Sequence, residues 1–493
     1  AWNDLGMHCY NGDFDDLAVL PPWNTLWAQV IRLGDPPQVV TDGLTVEFFF
    51  EDNTTSVTKS NFWDIGPSGQ QNAQWLFGLG APLLDDIGLT SVGLSGTMEL
   101  DEDHFVAKGI PLTEFSDSDL VNPEPYQLAT VIVRSSATGD ELARTQPVAP
   151  VSTEMHCDNC HYNNGPGNRG ISTGVVEQNI LVKHHNEQGD ENPGDPLMDR
   201  RPILCAECHS SNALEEPGVE GLPSLSNAMH KSHTGEVPDS LAGCYNCHPG
   251  PETQCLRDVM ATDHGMECVD CHGGMSVVAS ETRDPWFDEP TCSDAGCHEA
   301  ANYGQDDPLY RLSTEHGGVY CAGCHDSPHA IAPSREPADA IKFVGWQGYE
   351  GTLDDCMVCH TSLPAGEGPH GQLAGEPSFI FGPDRFGIGE PATQVVYTHT
   401  IENTGDLFDT YLPIPTSSQE WAVISEPSAL ELPPGATGIV TVTITIPEGD
   451  VAGLDRTVVT ATSNLSPALS ATVVDTTLVP RARIYLPLIL RGF

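Results

Sequence analysis

The chain has 493 residues, which is too long for one ordinary domain, so the sequence predicts several modules. Only 20 basic residues face 70 acidic ones, which gives a formal net charge of -50. Nucleic acids and anionic membrane surfaces bind proteins through clustered basic residues, so this composition excludes both as partners.

The chain contains no apolar run of about 18 residues, so the sequence predicts no transmembrane segment. It does not open with the charged and apolar regions of a signal peptide either. We therefore expect Ala1 to be the start of a mature chain from which a signal peptide has been removed.

Residues 1–150 are predicted to form a β-rich domain. The clearest strands are Leu44–Phe50 and Ala129–Val133, and the turn residues Thr138–Asp140 predict a hairpin after the second strand. Frequent Pro and Gly, with no long helical periodicity, favour a small sandwich or barrel.

Residues 151–372 have a different composition. Fifteen of the 16 cysteines lie between Cys157 and Cys359, apolar residues are sparse, and little regular secondary structure is predicted beyond short helices and coil. A segment that cannot build a core from side chains needs burial from metals or large cofactors.

The C-terminal part is predicted as a linker, 373–389, a β-sandwich, 390–480, and an apolar tail, 481–493. Strict alternation in Val440–Ile446 and shorter strand-like runs carry the sandwich prediction. The turn Asn403–Asp406 after a short strand resembles the immunoglobulin-like modules of bacterial surface proteins. The tail is too short to span a membrane, and it could be a final strand, an intermolecular strand or a sorting signal.

A repeated motif gives the central segment its chemistry. C-x-x-C-H occurs six times, and a seventh copy has four residues between its cysteines. Two thioethers can clamp the vinyl groups of a haem, and the adjacent histidine is then held beneath the iron as its axial ligand. The seven sets are Cys157/Cys160/His161, Cys205/Cys208/His209, Cys244/Cys247/His248, Cys268/Cys271/His272, Cys292/Cys297/His298, Cys321/Cys324/His325 and Cys356/Cys359/His360.

A C-x-x-C pair alone could be half a zinc site or a redox dithiol. Zinc, however, does not require a histidine directly after the second cysteine in every copy, and here it follows in all seven. We therefore predict seven c-type haems, with the stretched Cys292 motif as the one that a structural or zinc role suits best. Because c-type haem is attached outside the cytoplasmic membrane, the predicted location is extracytoplasmic, either secreted or at the cell surface.

Seven six-coordinate haems would also need seven distal ligands. Twelve of the 19 histidines lie outside the motifs, and nearby pairs could serve two adjacent haems. His104 and His399 fall in the β-rich parts and are predicted to be ordinary core or surface residues. The predicted distal ligands are His184, His185, His230, His233, His316, His329 and His370, with His264, His156 and His8 in reserve.

These motifs, with phrases such as Cys244–Gly250, Glu315–Cys321 and Asn3–Cys9, resemble the multihaem c-type cytochromes of dissimilatory bacteria. The resemblance covers roughly residues 1–372. It implies bis-histidine haems that pass electrons along a chain, with other redox proteins or extracellular acceptors as partners. Some members of that group polymerise into conductive filaments, so self-association is a further expectation.

Two cysteines, Cys9 and Cys255, remain after the motifs are counted. In an oxidising compartment an even remainder favours a disulfide, although free thiols or bonds between chains are alternatives.

The leading functional prediction is an electron carrier that is not an enzyme and has no substrate of its own. An oxidoreductase for a small nitrogen or sulfur oxyanion is the alternative, but such enzymes surround an open haem with basic residues, which are sparse here. A surface-binding protein whose haems only stabilise the fold would need widely spaced haems. About 29 residues per haem leaves little polypeptide to separate them.

Overall fold

The sequence folds into a β-rich chain with several sheets and mostly short helices. The structure is a computed structural model that describes residues 1–187, 196–292, 309–362, 364, 368–371, 377–405, 407–449, 451–467 and 469–480. Two compact units divide the chain, Ala1–Leu353 and Asp354–Phe493.

Strands of the first unit build two larger sheets and three short pairs. The larger sheets have the orders β1-β4-β10-β9 and β2-β13-β11-β7-β8, with β12 also paired to β11, and the pairs are β14-β3, β15-β16 and β5-β6. The strands are β1 (Trp2–Asn3), β2 (His8–Cys9), β3 (Leu17–Ala18), β4 (Thr25–Ala28), β5 (Ile31–Arg32), β6 (Gln38–Val39), β7 (Leu44–Phe50), β8 (Ser95–Thr97), β9 (Glu99–Asp101), β10 (His104–Lys108), β11 (Tyr126–Ser135), β12 (Glu141–Thr145), β13 (Val148–Ser152), β14 (Ile203–Leu204), β15 (Thr314–Glu315) and β16 (Val319–Tyr320).

The two strands predicted most clearly from sequence are confirmed. Leu44–Phe50 is β7, and its inward residues Val46, Phe48 and Phe50 are buried in the main core of this unit. The predicted Ala129–Val133 lies within β11, which pairs antiparallel with β7. The turn residues Thr138–Asp140 connect β11 to β12, and Gly139 supplies the positive φ of +76° that this turn requires.

The helices carry most of the cysteine motifs, and among those described only α3 and α10 exceed nine residues. They are α1 (Asn72–Leu76), α2 (Asp158–His161), α3 (Val176–Glu187), α4 (Leu225–His233), α5 (Leu241–Cys244), α6 (Val259–His264), α7 (Cys268–His272), α8 (Met275–Val278), α9 (Cys321–His325) and α10 (Pro337–Gln347). Short 3-10 turns cover Asn61–Trp63, Pro166–Asn168, Leu197–Asp199, Cys205–Glu207, Asn212–Leu214, Tyr310–Leu312, Cys356–Val358 and Pro369–Gly371.

Within the first unit, the β-rich part and the cysteine-rich part share strands. β13 pairs in parallel with β2, and β14 pairs in parallel with β3. The core that contains Phe48 also includes Leu204 and Ala206, next to the Cys205 motif. The predicted boundary at 150/151 therefore falls inside one compact unit, because these pairings join residues on both sides of it.

The second unit contains two β-sheets, with strand orders β17-β19-β23-β21 and β18-β25-β24-β20-β22. Alternate residues of β23, from Val440 to Ile444, point into a core that also contains Ile401 and Tyr411. The strands are β17 (Phe379–Gly382), β18 (Arg385–Ile388), β19 (Gln394–Asn403), β20 (Asp409–Ser417), β21 (Ala422–Glu426), β22 (Leu430–Leu432), β23 (Thr437–Thr445), β24 (Gly453–Ser463) and β25 (Ser470–Val479).

Two features of this unit differ from the sequence prediction. β17 and β18 lie inside the predicted linker 373–389, where they pair with β19 and β25 and become part of the two sheets. The Cys356 motif, which was predicted within the 151–372 domain, belongs to the second compact unit. The predicted tail 481–493 lies outside the described residues.

Within the described part of the chain, no helix is both long enough and apolar enough to cross a bilayer.

Candidate metal centres

We refer to each motif by its first cysteine. In the described motifs the chain makes a single helical turn, and in four of them the amide of the motif histidine donates to the carbonyl of the first cysteine four residues earlier. These bonds measure 2.8 Å at His161, 3.0 Å at His209, 3.0 Å at His248 and 2.8 Å at His360. One turn of helix brings residues i, i+3 and i+4 to one face, so it presents both cysteines and the histidine to the same side.

The two cysteines of a motif do not have the same surroundings. The second cysteines Cys160, Cys247 and Cys271 are exposed, whereas the first cysteines of these three motifs are partly buried. Two of these first cysteines, Cys244 and Cys268, hydrogen-bond to each other across motifs.

The remaining described motifs bury their two cysteines more evenly. Both members are partly buried in each case, namely Cys205 and Cys208, Cys321 and Cys324, and Cys356 and Cys359. Covalent attachment of haem at the motif cysteines stays a prediction.

Four motif histidines face a second histidine from elsewhere in the chain. A metal–imidazole bond is about 2 Å long, so two imidazoles on opposite sides of one metal place their ring centroids roughly 6 Å apart. The four observed separations match this value. They are 6.1 Å for His161 and His233, 5.9 Å for His209 and His184, 6.1 Å for His248 and His230, and 6.1 Å for His272 and His329.

Hydrogen bonds at Nδ1 fix the protonation of several of these rings. The Nδ1 of His209 lies 2.9 Å from the carbonyl oxygen of Pro223, and that of His161 lies 2.9 Å from Oδ1 of Asn168. The Nδ1 atoms of His230 and His233 bond in the same way to carbonyls one helical turn earlier, at 2.8 and 2.6 Å. Because an acceptor at Nδ1 places the proton there, Nε2 keeps the lone pair that binds a metal.

Burial keeps the central histidines neutral, which is the form that binds metals. Desolvation, followed by repulsion from neighbouring histidines, lowers the pKa of His248 to about 4. The pKa of His272 is also about 4, chiefly through burial, and burial followed by the charge of Arg257 does the same for His329. The pKa of His230 is lowered as well, again mainly by burial.

Helix α4 carries two histidines, and each belongs to a different histidine pair. Ser224 caps its N-terminus by accepting from the amide of Asn227, and the Asn227 side chain donates to the carbonyl of Ala279 at 2.7 Å. His230 and His233 lie near the other end, one turn apart, and face His248 and His161 respectively. An open cleft of about 480 Å³ adjoins this end of α4, lined by residues 234–239 together with Met275 and Ser276.

In four of the motifs, a thiol lies within hydrogen-bonding or electrostatic range of a thiol from another motif. The Cys244 thiol hydrogen-bonds to that of Cys268, which raises the pKa of Cys268. Burial and then the neighbouring Cys247 raise the pKa of Cys157 to about 11. Burial and then Cys157 raise the pKa of Cys205 to about 12. The motifs therefore adjoin in the order Cys205, Cys157, Cys244, Cys268, which differs from their order in the sequence.

The reserve histidines contact carboxylates or solvent. His8 is buried, and its Nε2 lies 2.9 Å from Oδ1 of Asp4. The Nε2 of His156 lies 3.1 Å from Oε1 of Glu154. His264 ends helix α6 and is exposed. In these positions the first two Nε2 atoms are already engaged by an acidic partner.

The two histidines predicted to be ordinary lie in β-strands and are buried. His399 is fully buried between the carbonyl of Pro383, 2.9 Å away, and Oδ2 of Asp475, 3.1 Å away. His104 stacks on Trp27 with ring centroids 4.3 Å apart. Each side chain belongs to the packing of its sheet.

Several predicted ligands are described only in part. Cys297, His298 and the side chain of His185 lie outside the described residues. Cys292 is described, and it packs against a small cluster around Trp2 and Tyr310. His316 is exposed and precedes the motif turn α9, and His370 lies in the turn Pro369–Gly371, in the same unit as His360.

Cys9 and Cys255 are both free thiols in the structure. Burial raises the pKa of Cys9 to about 11 and that of Cys255 to about 12, and the nearby Cys9 thiol contributes to the second shift. The two thiols therefore lie within electrostatic range of each other. The disulfide between them stays a prediction.

Among the described residues, no group of three or more His, Cys, Asp and Glu side chains is arranged to hold a metal ion. Each histidine pair offers two ligands, whereas a structural zinc site uses four. Two opposed imidazoles beside a C-x-x-C pair match what a c-type haem needs from the protein, namely two axial ligands and two thiols.

No protein-family model and no curated protein matches this chain. Among solved structures, a PapD-like domain of human CEP192 matches 21% of this chain and 87% of its own length, with 12% identity and a TM-score of 0.18. The E. coli chaperone DraB matches 21% of this chain and 55% of its own length, with 19% identity and a TM-score of 0.17. Similarity at TM-scores this low indicates neither a shared fold nor a shared function.

Proposed function

We propose that this chain is an extracytoplasmic electron-transfer protein that binds c-type haems through its seven cysteine motifs. The observation that carries the proposal is the set of four opposed histidine pairs, each formed by a motif histidine and a histidine from a separate segment. Bound haem would supply reversible one-electron chemistry at low potential, since bis-histidine ligation lowers the potential relative to His/Met ligation.

Different residues would attach the haem, bind its iron and fix the tautomer of the binding histidines. The two cysteines of each motif would hold the cofactor covalently, and the motif histidine would bind one side of the iron. His184, His230, His233 and His329 would bind the other side at the Cys205, Cys244, Cys157 and Cys268 motifs. Carbonyl and amide acceptors at Nδ1 would hold several of these rings in the metal-binding tautomer.

The proximity of thiols from different motifs supports a path through these four motifs in the order Cys205, Cys157, Cys244, Cys268. With both axial positions taken by histidine, these sites would leave no open position for a substrate. We therefore propose a carrier and not an enzyme for this part of the chain. Its partners would be other redox proteins or extracellular electron acceptors.

For the strands of the second unit, which follow its Cys356 motif, we propose an immunoglobulin-like sandwich that spaces or anchors the haem-binding residues. Its two sheets, with orders β17-β19-β23-β21 and β18-β25-β24-β20-β22, and the alternating burial along β23 support this assignment. Modules of this architecture host many functions, so the fold by itself assigns none.

The first test is cofactor content and spin state. Protein produced in a host that matures c-type cytochromes should carry seven haem masses, and electron paramagnetic resonance should show low-spin ferric iron throughout. Fewer than six haems would contradict the proposal. A high-spin ferric signal in the native chain would favour the oxidoreductase instead.

A pair of variants tests the ligand assignment. His233→Ala should convert one haem to high spin, because it removes the imidazole that faces His161. His264→Ala is the control, because His264 is exposed at the end of α6. If His233→Ala leaves every haem low-spin, the pairing of His161 with His233 is wrong.

A further inference from the structure

We propose that the turn Asn3–Gly6 is a positioning element that holds His329 opposite His272, and that Gly6 is its critical residue. The inference rests on the proposed function, because it assigns the turn to one of the four ligand pairs. It also concerns a part of the chain far from any cysteine motif in sequence.

The backbone of His329 needs support from its surroundings. Its φ is +62°, in the left-handed region, which costs energy for residues other than Gly even though His adopts it more often than most. Its carbonyl accepts a hydrogen bond of 2.9 Å from the amide of Arg257, and the carbonyl of Ile331 accepts one of 3.1 Å from the amide of Val259. These bonds hold the strained loop from one side.

The Asn3–Gly6 turn holds the same loop from the other side. Asn3 is fully buried, and its amide donates to Oγ of Ser327 at 3.1 Å. Its side-chain oxygen accepts from the amides of Leu5 and Gly6, at 3.1 and 2.9 Å, and its side-chain nitrogen donates to the carbonyl of Thr25 at 2.7 Å. The turn is thereby fixed to both strand β4 and the loop that carries His329.

Gly6 allows the closest approach between the turn and the loop. Its φ is +75°, and a Cβ added there would lie 1.6 Å from the carbonyl oxygen of Pro328 and 3.6 Å from Cβ of His329. Backbone occupies that space, so no side chain can be accommodated unless the loop moves. Because Pro328 precedes His329 directly, such a movement would displace the imidazole.

Arg257 connects the two sides. Its guanidinium donates to the carbonyl of Gly6 at 2.7 Å and to the carboxylate of Asp339 at 2.7 and 3.1 Å, and it lies over the ring of Tyr126. Its backbone amide bonds to His329, so one residue contacts both the turn and the loop. Arg257 therefore bonds to both Gly6 and His329, and Gly6 in turn lies against the backbone next to His329.

The test compares Gly6→Ala with Gly43→Ala in the haem-loaded full chain. Gly43 is a matched control, because its φ is +74° and a Cβ there would meet nothing within 4 Å. Gly6→Ala should convert one haem from low to high spin and allow it to bind carbon monoxide, and added imidazole should restore the low-spin spectrum. Gly43→Ala should leave the spectrum unchanged. A fully low-spin Gly6→Ala protein would overturn the inference.

Two further variants separate the possible failures. His329→Ala must give the same one-haem conversion, and if it does not, the pairing with His272 in the proposed function is at fault. If Gly6→Ala does not fold, Arg257→Lys decides, because a lysine keeps the charge but cannot reproduce the planar fork that bonds twice to Asp339 while reaching the carbonyl of Gly6. Arg257→Lys should raise the high-spin fraction of the same haem, and an unchanged fraction would refute the positioning role.

Discussion

The buried ion pair between Arg257 and Asp339 should contribute strongly to the stability of the first unit. The two side chains are only 2% and 4% exposed, and they share two hydrogen bonds. Asp339→Ala would leave the guanidinium buried with the carbonyls of Gly6 and Cys255 but without the carboxylate that is hydrogen-bonded to it. Removing one partner of a buried pair costs about 3–5 kcal/mol, so we expect a loss of that size.

The exposed pair Lys231–Glu281 is the control for this prediction. Its side chains are 61% and 71% exposed, so solvent screens the pair and it should contribute little to stability. Native-state hydrogen exchange of peptides from α10, read by mass spectrometry, measures the opening free energy where Asp339 lies. If Asp339→Ala destabilises these peptides no more than Glu281→Ala does, the reasoning from burial is refuted.

Four further predictions concern other parts of the chain. Ser224→Ala removes the N-cap of α4 and should lower its local stability by about 1 kcal/mol, which hydrogen exchange of α4 peptides would detect. Burial alone would raise the pKa of Asp117, but hydrogen bonds from Lys59 and Thr54 outweigh it and lower the pKa from 3.8 to about 2. The stabilisation by Asp117 should therefore be present above about pH 4 and be lost between about pH 4 and pH 2, and Asp117→Asn should weaken that acid sensitivity in melting curves. Non-reducing peptide mapping should recover Cys9 joined to Cys255, and Cys9→Ser should then cost about 2–4 kcal/mol; two free thiols would end the disulfide prediction. Deletion of residues 481–493 should reduce oligomer size in light scattering if the tail joins copies, and an unchanged size would remove that role.

The sequence predicted those strands in which apolar and polar residues alternate. The alternation in Leu44–Phe50 and Val440–Ile446 identified β7 and β23, because one face of each strand is buried. β18 was missed because its four residues include Gly387 and show no alternation, and it is a strand only through its pairing with β25. A short strand of this kind depends on contacts that are distant in the sequence.

Helix α10 was also missed, although the sequence contained signals for it. Glu336 caps its N-terminus, Pro337 occupies its first position, and Gly348 ends it with a φ of +86°. The proline at the first position and the glycine after the last are standard start and stop signals of a helix. The sparse apolar residues of this segment had favoured short helices and coil.

The motif histidines and a set of candidate partners could be named from the sequence, but the pairing of each motif histidine with one partner could not. His272 and His329 are 57 positions apart, and the contacts of Gly6 and Arg257 help to bring them together. His8 contacts Asp4, four residues earlier, although no helix connects them, so the spacing alone did not predict this contact. Arg257 had no local signal, since a single arginine in a coil shows its role only when its distant partners are known.

Two of the proposed iron sites take a ligand from the same helix, α4. Nine residues, held by the Ser224 cap and the contact of Asn227 with Ala279, carry the ligands that face His161 and His248. Fraying of this helix would release two neighbouring sites together, so a single local defect would interrupt the proposed path at two consecutive points. The helix is therefore where damage to the chain should have the largest effect on conduction, even though it contains no cysteine.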